Sequence, residues 1–358
     1  MKKKYLINIL FILFFIDGKA QDSIPHKTVT NRSDYIEDLS NSINVSPIIF
    51  KTLSTFTIKG KEAMDYSQND GFNVGVKFQH KWLGFAFSYS PKKLQEDKKG
   101  TSTATNFVLN SYGKKIGFDV YYLNCAGYYI QNFKSFPSLD SLVTDGRFPQ
   151  RSDIQTLSTG FNLYYIFNSD KFSYRTAFAH NECQKKTAGS FTITSSFNYY
   201  QILGDSSILM STVEKFAQEE TKIKNGEFFS IGLMPGYAFT LVAKKKFFLT
   251  LAPSIGGMLQ FQNYYTEHHE FVSREVLIPR YMARVGLGYS GKQFYYGLSM
   301  VGDAYGIPLA RNILLNYGIG NAMFYFGIRL DVPKSLVKVS AFLEKCNPGN
   351  IFLQINKN

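Results

Sequence analysis

The chain has 358 residues, a formal net charge of +13 and a mean hydropathy of −0.15, and 16% of its residues are aromatic. After the first twenty residues it offers no long charge-free apolar run, which excludes a bundle of membrane helices. Its basic excess is spread without a clustered motif, so no nucleic-acid partner is expected. Its three cysteines, Cys125, Cys183 and Cys346, exclude a fully paired disulfide framework, and spacing does not choose a pair among them.

Residues 1–20 have the parts of a secretory signal peptide. Lys2, Lys3 and Lys4 form the positive start, residues 6–16 the apolar run, and Gly18-Lys19-Ala20 the small-residue cleavage site. Gln21 rather than Cys follows the cut, so no lipid anchor is expected there. Residues 21–42 read as a flexible leader, and residues 43–358 as one domain. The basic excess suits a surface of anionic lipid headgroups.

From residue 43 the dominant signal is alternation, which puts successive side chains on opposite faces of a sheet. Residues 43–58 are β-rich. Phe72, Val74, Val76 and Phe78 oppose Asn73, Gly75, Lys77 and Gln79, and Leu83, Phe85 and Phe87 oppose Gly84, Ala86 and Ser88. Residues 105–112 and 116–130 form the next pair across Gly113-Lys114-Lys115, ahead of a long loop at 131–154. In the stretch 155–198, Leu157, Thr159, Phe161, Leu163 and Tyr165 alternate with Ser158, Gly160, Asn162, Tyr164 and Ile166. After the turn at 168–171, Phe172, Tyr174, Thr176 and Phe178 continue the alternation as a second strand, and residues 191–198 as a third.

Beyond a stretch at 199–228 that parity asks to hold one more crossing, the alternation returns at 229–241, 247–261, 281–289 and 294–301. Residues 313–319 and 322–331 read as two strands joined at Gly320-Asn321, and 337–343 and 351–355 as two more. One face is aromatic and apolar; the other is small and polar. Short turns alternate with longer loops. That combination predicts an all-β, antiparallel transmembrane β-barrel of about 12 strands, closed because lipid offers no partner to an open edge.

Several segments also resemble a known family. Lys81-Trp82-Leu83-Gly84, residues 112–122, Phe148-Pro149-Gln150-Arg151-Ser152-Asp153, Phe172-Ser173-Tyr174-Arg175 and residues 184–191 are similar to family 4421 of the domains of unknown function. Ser152 stands where the family pattern has a second Pro. The resemblance implies a secreted, outer-membrane-type β-barrel of a Gram-negative bacterium. It brings no catalytic residues, because no activity is assigned to the family.

The chemistry-bearing residues fall into two groups. Glu267-His268-His269-Glu270 is the one His/acid cluster, but adjacent strand positions point apart and chelate poorly, so it reads as an exposed loop. No catalytic, cofactor or metal site is expected. The charges within strands, Lys77, Asp119, Arg175, Arg284, Arg329 and Asp331, all fall on the small, polar face. A charge facing lipid at mid-depth costs about 2–4 kcal/mol. These six are therefore the candidate lumen-facing polar residues, and they either line a solute path or fill the barrel by pairing. The expected function is non-enzymatic, as solute passage or envelope structure. The alternatives are an integral outer-membrane enzyme acting on lipid or surface polymer, and a soluble secreted barrel holding an apolar ligand. The expected partners are outer-membrane lipid and the barrel-assembly machinery.

Overall fold

The computed structural model describes residues 31–59, 62–69, 71–89, 96–143, 145–209, 223–266, 271–310 and 313–346. The signal peptide, the Glu267–Glu270 cluster and residues 351–355 lie outside the described residues. Fifteen strands follow in order: β1 (Ile36–Asp38), β2 (Ile43–Lys59), β3 (Ala63–Ser67), β4 (Asn73–His80), β5 (Leu83–Tyr89), β6 (Thr103–Tyr112), β7 (Ile116–Ile130), β8 (Gln150–Ile166), β9 (Glu182–Gln184), β10 (Ala188–Leu203), β11 (Ile223–Ala243), β12 (Phe247–Thr266), β13 (Phe271–Ser290), β14 (Phe294–Ala310) and β15 (Ile313–Leu330). Two short helices accompany them, α1 (Tyr174–Phe178) and α2 (Val337–Lys345).

Twelve strands, β2, β4–β8 and β10–β15, form an antiparallel ring that closes where β15 pairs with β2 from Leu314↔Lys59 to Leu330↔Ile43. Toward the loop end β3 pairs with β2 at Thr55–Lys59 and with β7 at Tyr129 and Ile130. There the ring bypasses β4–β6.

The environments on the two faces are inverted relative to a soluble protein. Ile49, Leu53, Leu233, Ile255, Leu277 and Phe324 are exposed on the outside. Arg280, Gln260, Thr250 and Ser196 are each 0% exposed inside. An apolar belt that surrounds a polar interior is the pattern of a barrel solvated by lipid. At the short-turn end, Phe247, Tyr289, Tyr296 and Phe326 make a row of touching rings on the outer surface, with centroids 5.2, 5.3 and 6.4 Å apart in that order. Aromatic girdles of this kind sit at membrane interfaces. Among the described residues no helix is long and apolar enough to cross a membrane. The fold is an antiparallel transmembrane β-barrel. Ile255→Arg, at the midpoint of β12 on the belt, should destabilise the barrel by about 2–4 kcal/mol. Ser254→Arg, one residue along and turned inward, should not show a lipid-burial penalty. Urea unfolding of both variants in lipid checks the assignment of faces.

Three sequence-based expectations are corrected. Residues 172–178 are not a strand. They form α1 and its approach, and every residue from Phe172 to Gln184 is buried within the barrel. A segment enclosed on all sides has no wet face and no lipid face, so alternation carries no information there. The fit depends on small residues: a Cβ added to Gly286 of β13 would lie 2.9 Å from Ala177 Cβ. With α1 inside the barrel, β8 and β10 are consecutive crossings, and parity needs no extra strand at 199–228. Second, β15 runs unbroken through Gly320 and Asn321, which pair with Gly302 and Val301 on one side and Leu53 and Thr52 on the other. Third, residues 337–343 belong to α2. The leader, where described, ends in β1, which pairs with β9.

The interior is filled at both ends. At the short-turn end, residues 167–187 fold inward as a plug. Its Phe172, Tyr174 and Phe178 pack with Tyr112, Tyr164 and Phe248 of the wall. At the loop end, inward side chains from nearly every strand join one cluster around Phe56, Tyr66, Tyr128, Tyr200 and Tyr317. The Tyr200 and Tyr317 rings meet at 4.0 Å, although β10 and β15 lie on nearly opposite sides of the ring.

Candidate functional site

Between the plug and the loop-end cluster lies a cavity of about 160 Å³. Phe178 of the plug is on one side and Leu123 on the other, and Ile48, Phe50, Met282 and Ile319 supply apolar wall. Charged groups enter it from strands far apart in sequence. Lys77 Nζ donates to the Phe178 carbonyl at 2.6 Å, which ties β4 to the plug. Arg284 of β13 donates to Asp119 of β7, an ion pair that bridges the lumen. The same guanidinium lies over the rings of Tyr164 and Tyr174, at 5.6 and 5.9 Å. Arg280 reaches both carboxylate oxygens of Asp303, which also lines the cavity, with Nε to Oδ1 at 2.7 Å.

The plug is held separately. Glu182, 0% exposed, accepts from Arg175 Nη1 at 2.9 Å and from Arg32 Nη2 at 2.9 and 3.0 Å. Arg329 Nη2 donates to the His180 carbonyl at 2.7 Å and to Ser290 Oγ at 3.0 Å, and its guanidinium covers the Tyr295 ring at 4.5 Å. Among the described residues no group of His, Cys, Asp or Glu is arranged to hold a metal ion.

The family model described as Domain of unknown function (DUF4421) matches residues 30–329. The chain belongs to the DUF4421 family. No curated protein matches it. Among solved structures, the outer membrane protease OmpT from Escherichia coli is 9% identical, with 82% of this chain and 98% of OmpT covered at a TM-score of 0.36. The beta domain of the Bordetella autotransporter BrkA is 10% identical over 79% of this chain and 99% of its own, with a TM-score of 0.35. The Pseudomonas putida toluene transporter TodX is 8% identical over 84% and 91%, with a TM-score of 0.24. These likenesses carry no argument about activity.

In this DUF4421 barrel the six strand charges have distinct positions. Lys77, Asp119 and Arg284 meet at the cavity. Arg175 is buried, but on α1 rather than on a strand, where it serves the plug. Arg329 caps carbonyls at the short-turn end. Asp331 follows the last residue of β15 and is exposed, because the strand has already left the barrel at Leu330. Arg280, Asp303 and Glu182 belong to the interior networks and were not singled out by the sequence pattern.

His180 sits in the plug with its ring against Tyr325 at 4.0 Å and Tyr295 at 5.2 Å, in a left-handed backbone conformation with φ 62°. Burial holds its pKa well below the usual histidine range, and the neighbouring Lys77 and Arg329 cations act in the same direction. The folded protein therefore keeps His180 neutral while the unfolded chain takes up a proton near pH 6.5. Stability linked to this residue is full above that pH and falls by about 1.4 kcal/mol per unit below it, until the folded pKa is reached. His180→Asn removes the titration and tolerates the positive φ. Unfolding midpoints at pH 7.5, 6.5 and 5.5 should diverge between the two proteins by that slope. Parallel curves would show that His180 is not the group being titrated.

Proposed function

We propose that this DUF4421 chain is an integral, non-enzymatic β-barrel protein of the Gram-negative outer membrane that holds a small solute inside the barrel for passage. The observation that carries this reading is the charged, largely apolar cavity enclosed between the plug and the loop-end cluster. An open pore would have a continuous wet lumen. A purely structural barrel would have no need of a cavity lined by Lys77, Asp119 and Arg284. The apolar belt and the exported character of residues 1–20 support the location, with outer-membrane lipid and the barrel-assembly machinery as its partners.

The test is fractionation of native cells, with carbonate extraction and a heat-modifiability gel, followed by planar-bilayer recording. The protein should stay with membranes, shift mobility on boiling and conduct no steady current. A carbonate-soluble protein without a mobility shift would sink the membrane reading. A large steady conductance would sink the closed-barrel reading. Longer loops normally face outward, so an epitope near Ser141 should be reached on intact cells, and one at Lys245 only after the envelope is opened.

A further inference from the structure

Both ends of the lumen are filled, so a solute in the cavity needs another way in. We propose that it enters sideways, through the seam between β5 and β6, and that it is a compact neutral molecule bearing one hydroxyl on an apolar body. This rests on the reading of the cavity as a solute site.

The seam is where the ladder of the ring stops short beside the cavity. β5 and β6 pair only from Leu83↔Ser111 to Ala86↔Val108. Both strands continue, to Tyr89 and back to Thr103, yet among the described residues nothing pairs Phe87–Tyr89 with Thr103–Phe107. β6 meanwhile stays paired to β7 as far as Thr103↔Ala126. Unpaired strand edges facing hydrocarbon cost several kcal/mol for each orphaned group. They are tolerable where they border a cavity with polar groups of its own, and this break does. Ala86 and Ser88 on one side of it, and Asn106 and Val108 on the other, all line the cavity. Outside, Phe87 and Phe107 flank the break and are 59% and 39% exposed.

A second thin stretch of wall competes with this one. Val301, Asp303, Ile319 and Gly320 line both the cavity and a depression on the lipid-facing surface. There, however, the ladder is continuous through Ala283↔Gly302 and Gly302↔Gly320. Hydrogen bonds seal that wall, whereas beyond Ala86↔Val108 no β5–β6 pairing holds the seam among the described residues.

Size and chemistry define the occupant. A cavity of about 150 Å³ accepts a benzene-sized body, and this one is about 160 Å³. Its polar groups are incompletely used. Lys77 Nζ has three protons and donates one to Phe178. Thr52 Oγ1 and Asn110 Oδ1 are buried with no hydrogen-bond partner among the described residues. An ammonium donor, an amide oxygen acceptor and a threonine hydroxyl that can do either, all facing one space, fit a hydroxyl, which both accepts and donates. A carboxylate could accept from Lys77 and Thr52, but it would leave Asn110 Oδ1 unpaired and would meet Asp119 Oδ1, a buried carboxylate oxygen of the same cavity that has no hydrogen-bond partner among the described residues. A hydrocarbon would satisfy none of them.

The experiment is fluorine NMR on the full-length protein in lipid nanodiscs, with 4-fluorophenol, 4-fluorotoluene and 4-fluorobenzoate as probes. 4-Fluorophenol should show a bound signal and bind at least tenfold tighter than the other two, and Thr52→Val should weaken it several-fold. For the portal, Ser88→Cys/Asn106→Cys is made in a background lacking Cys125, Cys183 and Cys346, and is bridged with a short bis-maleimide. Bridging should slow exchange of bound 4-fluorophenol at least tenfold relative to the unbridged protein. No bound signal for any probe in the wild type would overturn the solute reading itself. Binding with exchange unchanged by the bridge would overturn the portal alone. A preference for 4-fluorobenzoate or 4-fluorotoluene would overturn the hydroxyl assignment alone.

Discussion

Arg280→Met should lower folding stability by about 3–5 kcal/mol, and Arg280→Met/Asp303→Leu should recover most of the loss. Arg280 is 0% exposed and Asp303 7%, so neither charge keeps much water. The guanidinium meets both carboxylate oxygens, and its third nitrogen lies 3.6 Å from the Met258 sulfur. Removing the arginine leaves a buried carboxylate with nothing to compensate it. That uncompensated charge, rather than the loss of the pair's own attraction, makes the single change expensive. Replacing both partners with apolar side chains removes both desolvation penalties together, and such swaps are often neutral or better. Urea unfolding in lipid, read by the folded-form gel shift, gives the comparison. A single-variant loss under about 1 kcal/mol would mean that water reaches this depth of the lumen and screens Asp303.

The sequence pattern failed to single out this pair for a physical reason. The alternation before Arg280 is interrupted by Pro279, and the alternation after Val301 by Gly302. Proline and glycine ordinarily punctuate strands. In this barrel β13 and β14 run straight through them, to lengths of 20 and 17 residues. Ending the strands at Tyr281 and Val301 left Arg280 and Asp303 in apparent loops. The same habit split β15 at Gly320. Where no such residue intervened, faces were legible residue by residue. In β8 Asn162 is buried and Tyr165 exposed, and in β10 Thr194 is buried and Phe191 exposed. Wall strands separate two solvents, and alternation records that separation. The buried part of the plug, Phe172 to Gln184, contacts only protein, so Phe172 to Phe178 mimic a strand by composition while the chain coils. Glu182 left no mark, because a lone acid in a polar loop looks the same whether solvated or buried. The cavity left none either, since it depends on how the inward side chains of nine strands happen to fill the space between them.

Glu182→Leu should release the plug while leaving the ring intact. One carboxylate joins three pieces of chain there: Arg32 of the N-terminal segment, Arg175 of α1 and, through its own backbone, β9. With the carboxylate gone, Arg175 would keep its hydrogen bonds to Asn181 Oδ1 and the Lys81 carbonyl but be left buried without its counter-ion, at a cost of about 3–5 kcal/mol if the plug stayed docked. The twelve-strand ladder does not pass through this residue, so the barrel can avoid that cost by letting residues 167–187 swing out. At 1.4 kcal/mol per factor of ten, the undocked population should rise by about two to three and a half orders of magnitude. Trypsin should then cut at Arg175, a site that the docked plug buries, while the boiled-versus-unboiled mobility shift persists. A second readout is chemical. Cys183 Sγ is buried against the Ser290 carbonyl at 3.3 Å and the Lys245 carbonyl at 3.5 Å, and should react with maleimide only when the plug leaves. Glu182→Gln, which keeps hydrogen-bond acceptors but not the charge, should fall between the two. A Glu182→Leu protein whose plug stays protected from both reagents, in a barrel that still shifts on boiling, would mean that the aromatic packing of Phe172, Tyr174 and Phe178 holds the plug without the ion pair.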